Sequence, residues 1–179
     1  LRPADGVERV FRDAAISLAK QYPFARQLVN TGRMAIANPY TQSGACESTG
    51  GLSVQNVALR WADGSPGTVN ELLQWADGHL LVLAFGGLNR DALQRLKALA
   101  QTAPVRCVQV LDATARADAT EHVRDPHGHL QGACHVFGHA WALVRPDAYI
   151  AATGESIDAA LVHAVARALG ATQNVEAIA

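Results

Sequence analysis

Cys134 and the histidines around it are the residues of this chain whose types and spacing could do chemistry. His127-x-His129 and His135-x3-His139 have the spacings of metal ligands, and Cys134 lies between the two pairs. A thiolate here could also act as a nucleophile, provided that a neighbouring positive charge or a helix N-terminus lowered its pKa. Against both readings, His127 falls in a tight turn, Asp125-Pro126-His127-Gly128, and the others in a short irregular stretch. No acidic residue is clearly placed to orient the imidazoles, so the expectation is no metal site. Cys46, Cys107 and Cys134 are an odd number, widely spaced, without a C-x-x-C. That pattern argues against a disulfide framework and for a reducing, cytoplasmic setting. Cys107, within an apolar run, reads as an inert buried thiol.

Other chemical motifs are missing. There is no G-x-G-x-x-G, no P-loop and no G-x-S-x-G elbow. Arg145 and Asp147 flank a proline in a turn and read as local partners, while Trp61, Trp75 and Trp141 read as core or interface residues before ligand-lining ones. The expectation is therefore no catalytic, cofactor-binding or metal residue in this chain. A net charge of −1 with 17% charged residues gives no electrostatic argument for nucleic acid or an anionic membrane. No apolar run approaches a membrane span, and the polar start carries no signal peptide. The chain opens on Leu1 and its only methionine is Met34, so it reads as a piece of a longer polypeptide.

The elements that must position these residues follow from periodicity. Asp5 and Glu8 form a candidate capping box for a helix that stops near Gln21, ahead of Pro23. A second short helix runs from Pro23 to Val29 and ends at Asn30-Thr31-Gly32. Residues 1–32 thus form a helical segment, and 33–51 an extended linker that docks at Ile36 and Pro39-Tyr40. The linker leads into a domain over 52–170, followed by a tail, 171–179. In that domain Val54–Trp61 reads as a strand or hairpin arm closed by Asp63-Gly64. Thr68 caps a helix over Val69–Ala76, and HLLVLAF, from His79 to Phe85, reads as a buried central strand. Asn89 caps a helix to Gln101, Val105–Leu111 is a strand, and 112–120 is a polar loop. His122–Val123 is a short extended piece, and Leu130–Val136 fits one helical turn. Ala140–Val144 and Ala148–Ala152 flank Arg145-Pro146-Asp147 as a β-hairpin around a type I turn. The first arm is apolar on both faces, which requires cover on both sides. Ser156 caps the last helix, to Leu169, with Gly170 at its C-terminal stop.

The order β-α-β-(α)-β-β-α makes a mixed sheet with helices on both faces, an α/β fold of thioredoxin-like type preceded by the helical segment. A thioredoxin-like redox protein keeps its nucleophilic cysteine where the first central strand meets the following helix. Here that junction, Phe85 to Asp91, holds no cysteine, and no proline precedes the hairpin at Phe137-Gly138-His139. Redox chemistry is not expected.

Leu143-Val144-Arg145-Pro146-Asp147-Ala148-Tyr149-Ile150-Ala151 resembles the terminal "LVRPDgyvA" signature of FAD-dependent aromatic-ring hydroxylases. These are class A flavoprotein monooxygenases of the phenol hydroxylase and 3-(3-hydroxyphenyl)propionate hydroxylase type. Gln27 to Met34 is similar to the segment where their flavin domain gives way to the C-terminal domain. Asp125–Gly128 with Gly132-Ala133 is similar to the run before their hairpin. Ala148 departs from the family's usual Gly, a change that a type I turn is expected to tolerate. The resemblance implies a non-catalytic, thioredoxin-like C-terminal structural or oligomerisation domain of an FAD- and NAD(P)H-using monooxygenase. Its partner would be the flavin domain of the same chain, with no catalytic residue carried here. The unpartnered apolar stripe of residues 5–29 leads to the expectation of a homodimer for the fragment. A free-standing thioredoxin-like binding or redox module using Cys134 is the alternative, and a small-molecule binding protein a third reading.

Overall fold

The unbroken apolar run Leu80–Phe85 forms an interior strand of a seven-stranded sheet in the computed structural model. Residues 6–22, 39–40, 43–46 and 50–170 are the described ones. The chain divides into two units, Leu1–Ala37 and Asn38–Ala179.

In the first unit, α1 spans Val7–Gln21. Its cap position is Gly6, which supplies no side chain; the expected cap, Asp5, lies outside the described residues. The helix stops as expected, because Tyr22 precedes Pro23 and is driven to extended backbone. Val10, Ile16 and Leu18 on it are exposed. The expected helix Pro23–Val29, the Asn30–Gly32 stop, Ile36 and the tail 171–179 also lie outside the described residues, as does most of the family-like run from Gln27 to Met34.

The second unit begins at the linker's end. Tyr40 packs against Tyr149 with the rings tilted by 60° and their centroids 4.8 Å apart. The Gly51 N–H donates to the Ile150 carbonyl, and Ser53 bridges to Tyr149. The regular elements follow as β1 (Ala58–Trp61), β2 (Pro66–Thr68), α2 (Val69–Ala76), β3 (Leu80–Phe85), α3 (Arg90–Thr102), β4 (Val105–Leu111), β5 (His122–Arg124), α4 (His129–Ala133), β6 (Trp141–Val144), β7 (Ile150–Gly154) and α5 (Ala159–Ala168). The sheet order is β2-β1-β5-β4-β3-β6-β7. The pairs β3/β4, joined through α3, and β4/β5, joined by a loop, are parallel, and every other pairing is antiparallel.

Strand alternation divides the core in two. Leu81, Leu83, Val108, Val110, Ala142 and Val144 point to one face, against Val69 and Leu72 of α2 and Leu130 of α4. Leu80, Val82, Ala84, Trp141 and Leu143 point to the other, against Leu96 and Leu99 of α3 and Leu161 and Val165 of α5. Every residue of β6 is buried, as its two apolar faces demanded. The Trp141 indole N–H donates to the Ser156 carbonyl at 2.7 Å, and its ring fills the space where Gly154 has no side chain.

Three local expectations are corrected. β1 starts at Ala58, as an arm of a hairpin across Asp63-Gly64, and its partner β2 has no predicted bounds, since a three-residue strand opening on proline carries almost no periodic signal. Asp158, not Ser156, caps α5: its carboxylate accepts from the Ala160 N–H at 2.9 Å, and Ser156 hydrogen-bonds that carboxylate instead. The hairpin turn is the third. Arg145 and Ala148 close it through a 3.0 Å backbone bond, but Ala148 itself has φ 64°. The loop is a turn followed by a left-handed residue, the position that glycine suits. Ala148 is therefore strained, not merely tolerated.

Candidate functional site

The β3–α3 junction is where thiol chemistry would sit in this fold, because the helix N-terminus there stabilises an anion. The chain fills that place with its own hydrogen bonds. Gly86, at φ 80°, breaks β3, and the Asn89 side chain caps α3 by accepting from the Ala92 N–H at 2.8 Å. Gln109 on β4 is 1% exposed. Its amide nitrogen donates to the Gly86 carbonyl at 2.8 Å and to Asp118 Oδ2 at 3.0 Å. Its amide oxygen accepts from the N–H groups of Asp118, at 2.8 Å, and Ala119, at 2.9 Å. Both donors and the acceptor of one buried side chain are thus used.

Asp118 completes this latch by accepting from the Leu88 N–H at 2.8 Å. That backbone bond first, and the Gln109 amide second, hold its carboxyl below the usual carboxylate range. The rest of the loop is fastened by Arg124, whose guanidinium donates to the carbonyls of Asp112, Ala113 and Ala115 at 3.0–3.2 Å. A side chain built at Gly87 would begin 3.9 Å from Asp118 Oδ2. A thiol there would face a carboxylate, which opposes ionisation. The junction is closed to the chemistry that its position permits.

The thiols lie elsewhere. Burial pushes Cys107 up to about 12, and its thiol donates to the Leu96 carbonyl at 3.6 Å. Cys134 is 1% exposed and is also pushed up to about 12, by burial first and the neighbouring Asp125 charge second. Cys46 is buried, 3.9 Å from an Arg145 guanidinium nitrogen. All three cysteines are unpaired.

His127 and His129 pack ring to ring at 5.3 Å, and His135 sits at φ 56°. His139 Nδ1 is buried without a hydrogen-bond partner among the described residues. Among those residues no group of three or more His, Cys, Asp or Glu side chains could hold a metal ion. The acid missing from the sequence reading is Asp125, 5% exposed. It serves backbone and not imidazole, accepting from the N–H groups of His129 at 3.0 Å and Leu130 at 2.7 Å. Arg145 and Asp147 form a 2.7 Å ion pair within the turn. Trp141 is core, whereas Trp75 carries the Arg106 guanidinium over its ring at 5.0 Å. Sequence reasoning missed Gln109 and Asp118; the available signal was a lone amide inside the apolar strand VRCVQVL.

Three comparisons bear on this geometry. The family described as "HcaD C-terminal domain" matches residues 52–170. No curated protein matches. Among solved structures, the substrate-free rebeccamycin biosynthetic enzyme RebC shares the fold with a TM-score of 0.51 at 20% identity, over 94% of this chain and 29% of that one. A thioredoxin-like protein from Porphyromonas gingivalis matches with a TM-score of 0.50 at 17% identity, over 68% of this chain and 94% of that one. Aklavinone-11 hydroxylase, in complex with FAD and aklavinone, matches with a TM-score of 0.49 at 23% identity, over 67% of this chain and 21% of that one. The fold is thioredoxin-like, and this chain spans less than a third of RebC and about a fifth of the hydroxylase. Among the described residues no helix is long and apolar enough to cross a membrane.

Proposed function

Because this chain belongs to the HcaD C-terminal domain family, we propose that it is a non-catalytic structural and assembly domain of a larger FAD-dependent, NAD(P)H-using aromatic-ring monooxygenase. The flavin, the nicotinamide and the aromatic substrate would all be handled upstream, by the flavin domain of the same polypeptide. Residues 1–32 would be the last helices of that portion, 33–51 the linker and 52–170 the appended domain. A cytoplasmic location and a homodimer formed through the apolar residues of α1 belong to the same reading. The Arg145-Pro146-Asp147 hairpin and its neighbouring motifs support the assignment to a hydroxylase. The RebC likeness, in which this chain matches 29% of a longer one, supports its being a domain of a larger protein.

One observation carries the non-catalytic half of the reading: the Gln109–Asp118 latch occupies the junction at which a thiol would work. A direct test is disulfide reduction with thiol counting. At pH 8 a thiol of pKa about 12 is ionised in roughly one molecule in ten thousand. The native chain should leave insulin disulfides intact, and Cys107 and Cys134 should react with a disulfide reagent only on unfolding. Rapid reaction of Cys134 in the folded chain, with turnover of disulfide, would replace this reading by the redox module.

A further inference from the structure

β4 has seven residues and β5 three, and the mismatch leaves part of one strand edge uncovered. β5 pairs only with Gln109–Leu111. On that side the Gln109 N–H donates to the Glu121 carbonyl, and the Leu111 carbonyl accepts from the Asp125 N–H. Strand alternation puts the N–H and C=O of Cys107 and the C=O of Val105 on the same side. None of these three has a hydrogen-bond partner among the described residues. The cause is the latch: Gln109 collects the N–H groups of Asp118 and Ala119, so the segment ahead of β5 does not run back beside Val105–Val108.

The uncovered edge forms the floor of a cavity of about 460 Å³. Trp75 of α2 walls it on one face, with Arg106 laid over the ring; Leu93 and Lys97 of α3 wall it on the other. A second hollow of about 470 Å³ shares the Trp75 and Glu121 walls and extends the groove toward Trp61. Unpaired strand groups at the bottom of an apolar groove offer an extended chain both hydrogen bonds and side-chain pockets. Lys97 and Arg106 against the single carboxylate of Glu121 favour an acidic occupant of the first cavity.

We propose that this groove is a strand-addition site. An extended peptide segment from a partner, carrying apolar side chains and at least one carboxylate, pairs with β4 beside Val105–Val108. It exchanges hydrogen bonds with the Cys107 N–H and C=O, packs its apolar side chains on Trp75 on one face, and sets its carboxylates on the other face, toward Lys97. The site does not depend on the hydroxylase reading, because it uses only the sheet edge and its walls.

The test is a titration of the whole 179-residue chain, labelled with ¹⁵N, with the blocked peptide acetyl-Val-Glu-Val-Glu-Val-amide. Saturable amide shifts are expected at Val105–Gln109, Trp75 and Lys97. Exchange of the Cys107 amide should slow by at least about tenfold. The surface changes Lys97→Glu and Arg106→Glu together should weaken binding at least about tenfold, with recovery when Lys replaces Glu in the peptide. Three results would each overturn the proposal. One is no saturable shift at millimolar peptide, and another is undiminished binding of a peptide N-methylated at its central residue. The third is the same shifts raised by phenylacetate alone, which would make the groove a small-molecule pocket.

Discussion

The β3–α3 junction and the run from Asp125 to His139 divide between them what a thiol enzyme keeps in one place. The junction has the helix N-terminus and the central strand, and in it each hydrogen-bonding group of Gln109 is satisfied. The run has the thiol and the imidazoles, with a left-handed His135 and a His139 Nδ1 that has no hydrogen-bond partner among the described residues. The helix N-terminus thus lies in one region and the thiol in the other. Cys134 illustrates the second half: no helix N-terminus or cation lowers its pKa, and burial with a nearby carboxylate raises it. The comparison teaches that the fold's usual chemical position has been turned into a fastening, and the tests below ask how firmly each region is fastened.

The largest effect should come from Gln109→Leu. The apolar replacement conserves much of the volume but strands the N–H groups of Asp118 and Ala119 and the carbonyl of Gly86. Net hydrogen bonds of about 1 kcal/mol each, with the burial penalty of any group left unpaired, predict a loss of about 3 kcal/mol. For a chain of this size that lowers the melting temperature by roughly 10 °C. Calorimetry would show it, and hydrogen exchange should locate the loosening at residues 86–88 and 112–119. A melting temperature unchanged within a degree would mean that the junction is not latched, and the contrast between the two regions would fail.

The contrast was half legible in the residues. The central strands were readable because HLLVLAF and VRCVQVL are apolar runs that only a covered sheet can bury, and β4 matches its predicted bounds. Thr68 and Asn89 were readable as caps, since each side chain accepts from an N–H three residues on. The empty junction followed from the absence of cysteine between Phe85 and Asp91. What filled it was not legible. Gln109 and Asp118 are separated by a polar loop whose path is set by their own mutual hydrogen bonds, and no periodic pattern announces it. Asp125 was missed for a related reason: within Asp-Pro-His-Gly it reads as a turn residue, while its service to the next helix depends on burial.

Backbone strain provides a test on the other side of the comparison. Ala148 stands at φ 64° at the end of the hairpin turn, and His135 at φ 56° within the thiol-bearing run. A left-handed conformation costs a residue with a Cβ about 1–2 kcal/mol, of which glycine's greater freedom in the unfolded chain returns part. Ala148→Gly should therefore stabilise the chain by about 1 kcal/mol, and His135→Gly by less, since histidine tolerates this region better than alanine. Denaturant melts with unchanged slope would measure both. If His135→Gly were strongly destabilising instead, its imidazole would be making contacts essential to the fold of the run.

The smallest effect concerns acid, and it separates the latch from the other carboxylates. Asp118 has a folded pKa below its ordinary 3.8 because the Leu88 N–H and the Gln109 amide bond its charged form. A depressed carboxylate contributes stability that is present above its unfolded pKa and lost as the pH falls through its folded one. Asp63, Asp112 and Asp158 are depressed in the same way, so the acid limb of the native chain is shared among them. Asp118→Asn keeps one acceptor oxygen and removes the titration. The variant should be modestly less stable at neutral pH and should lose less stability than the native chain below about pH 4, so that the two curves converge there. Parallel curves down to the acid transition would show that Asp118 titrates alike in the folded and unfolded chain. The junction would then be closed by a neutral hydrogen-bond network in place of a charged one, with Arg124 still fastening the rest of the loop.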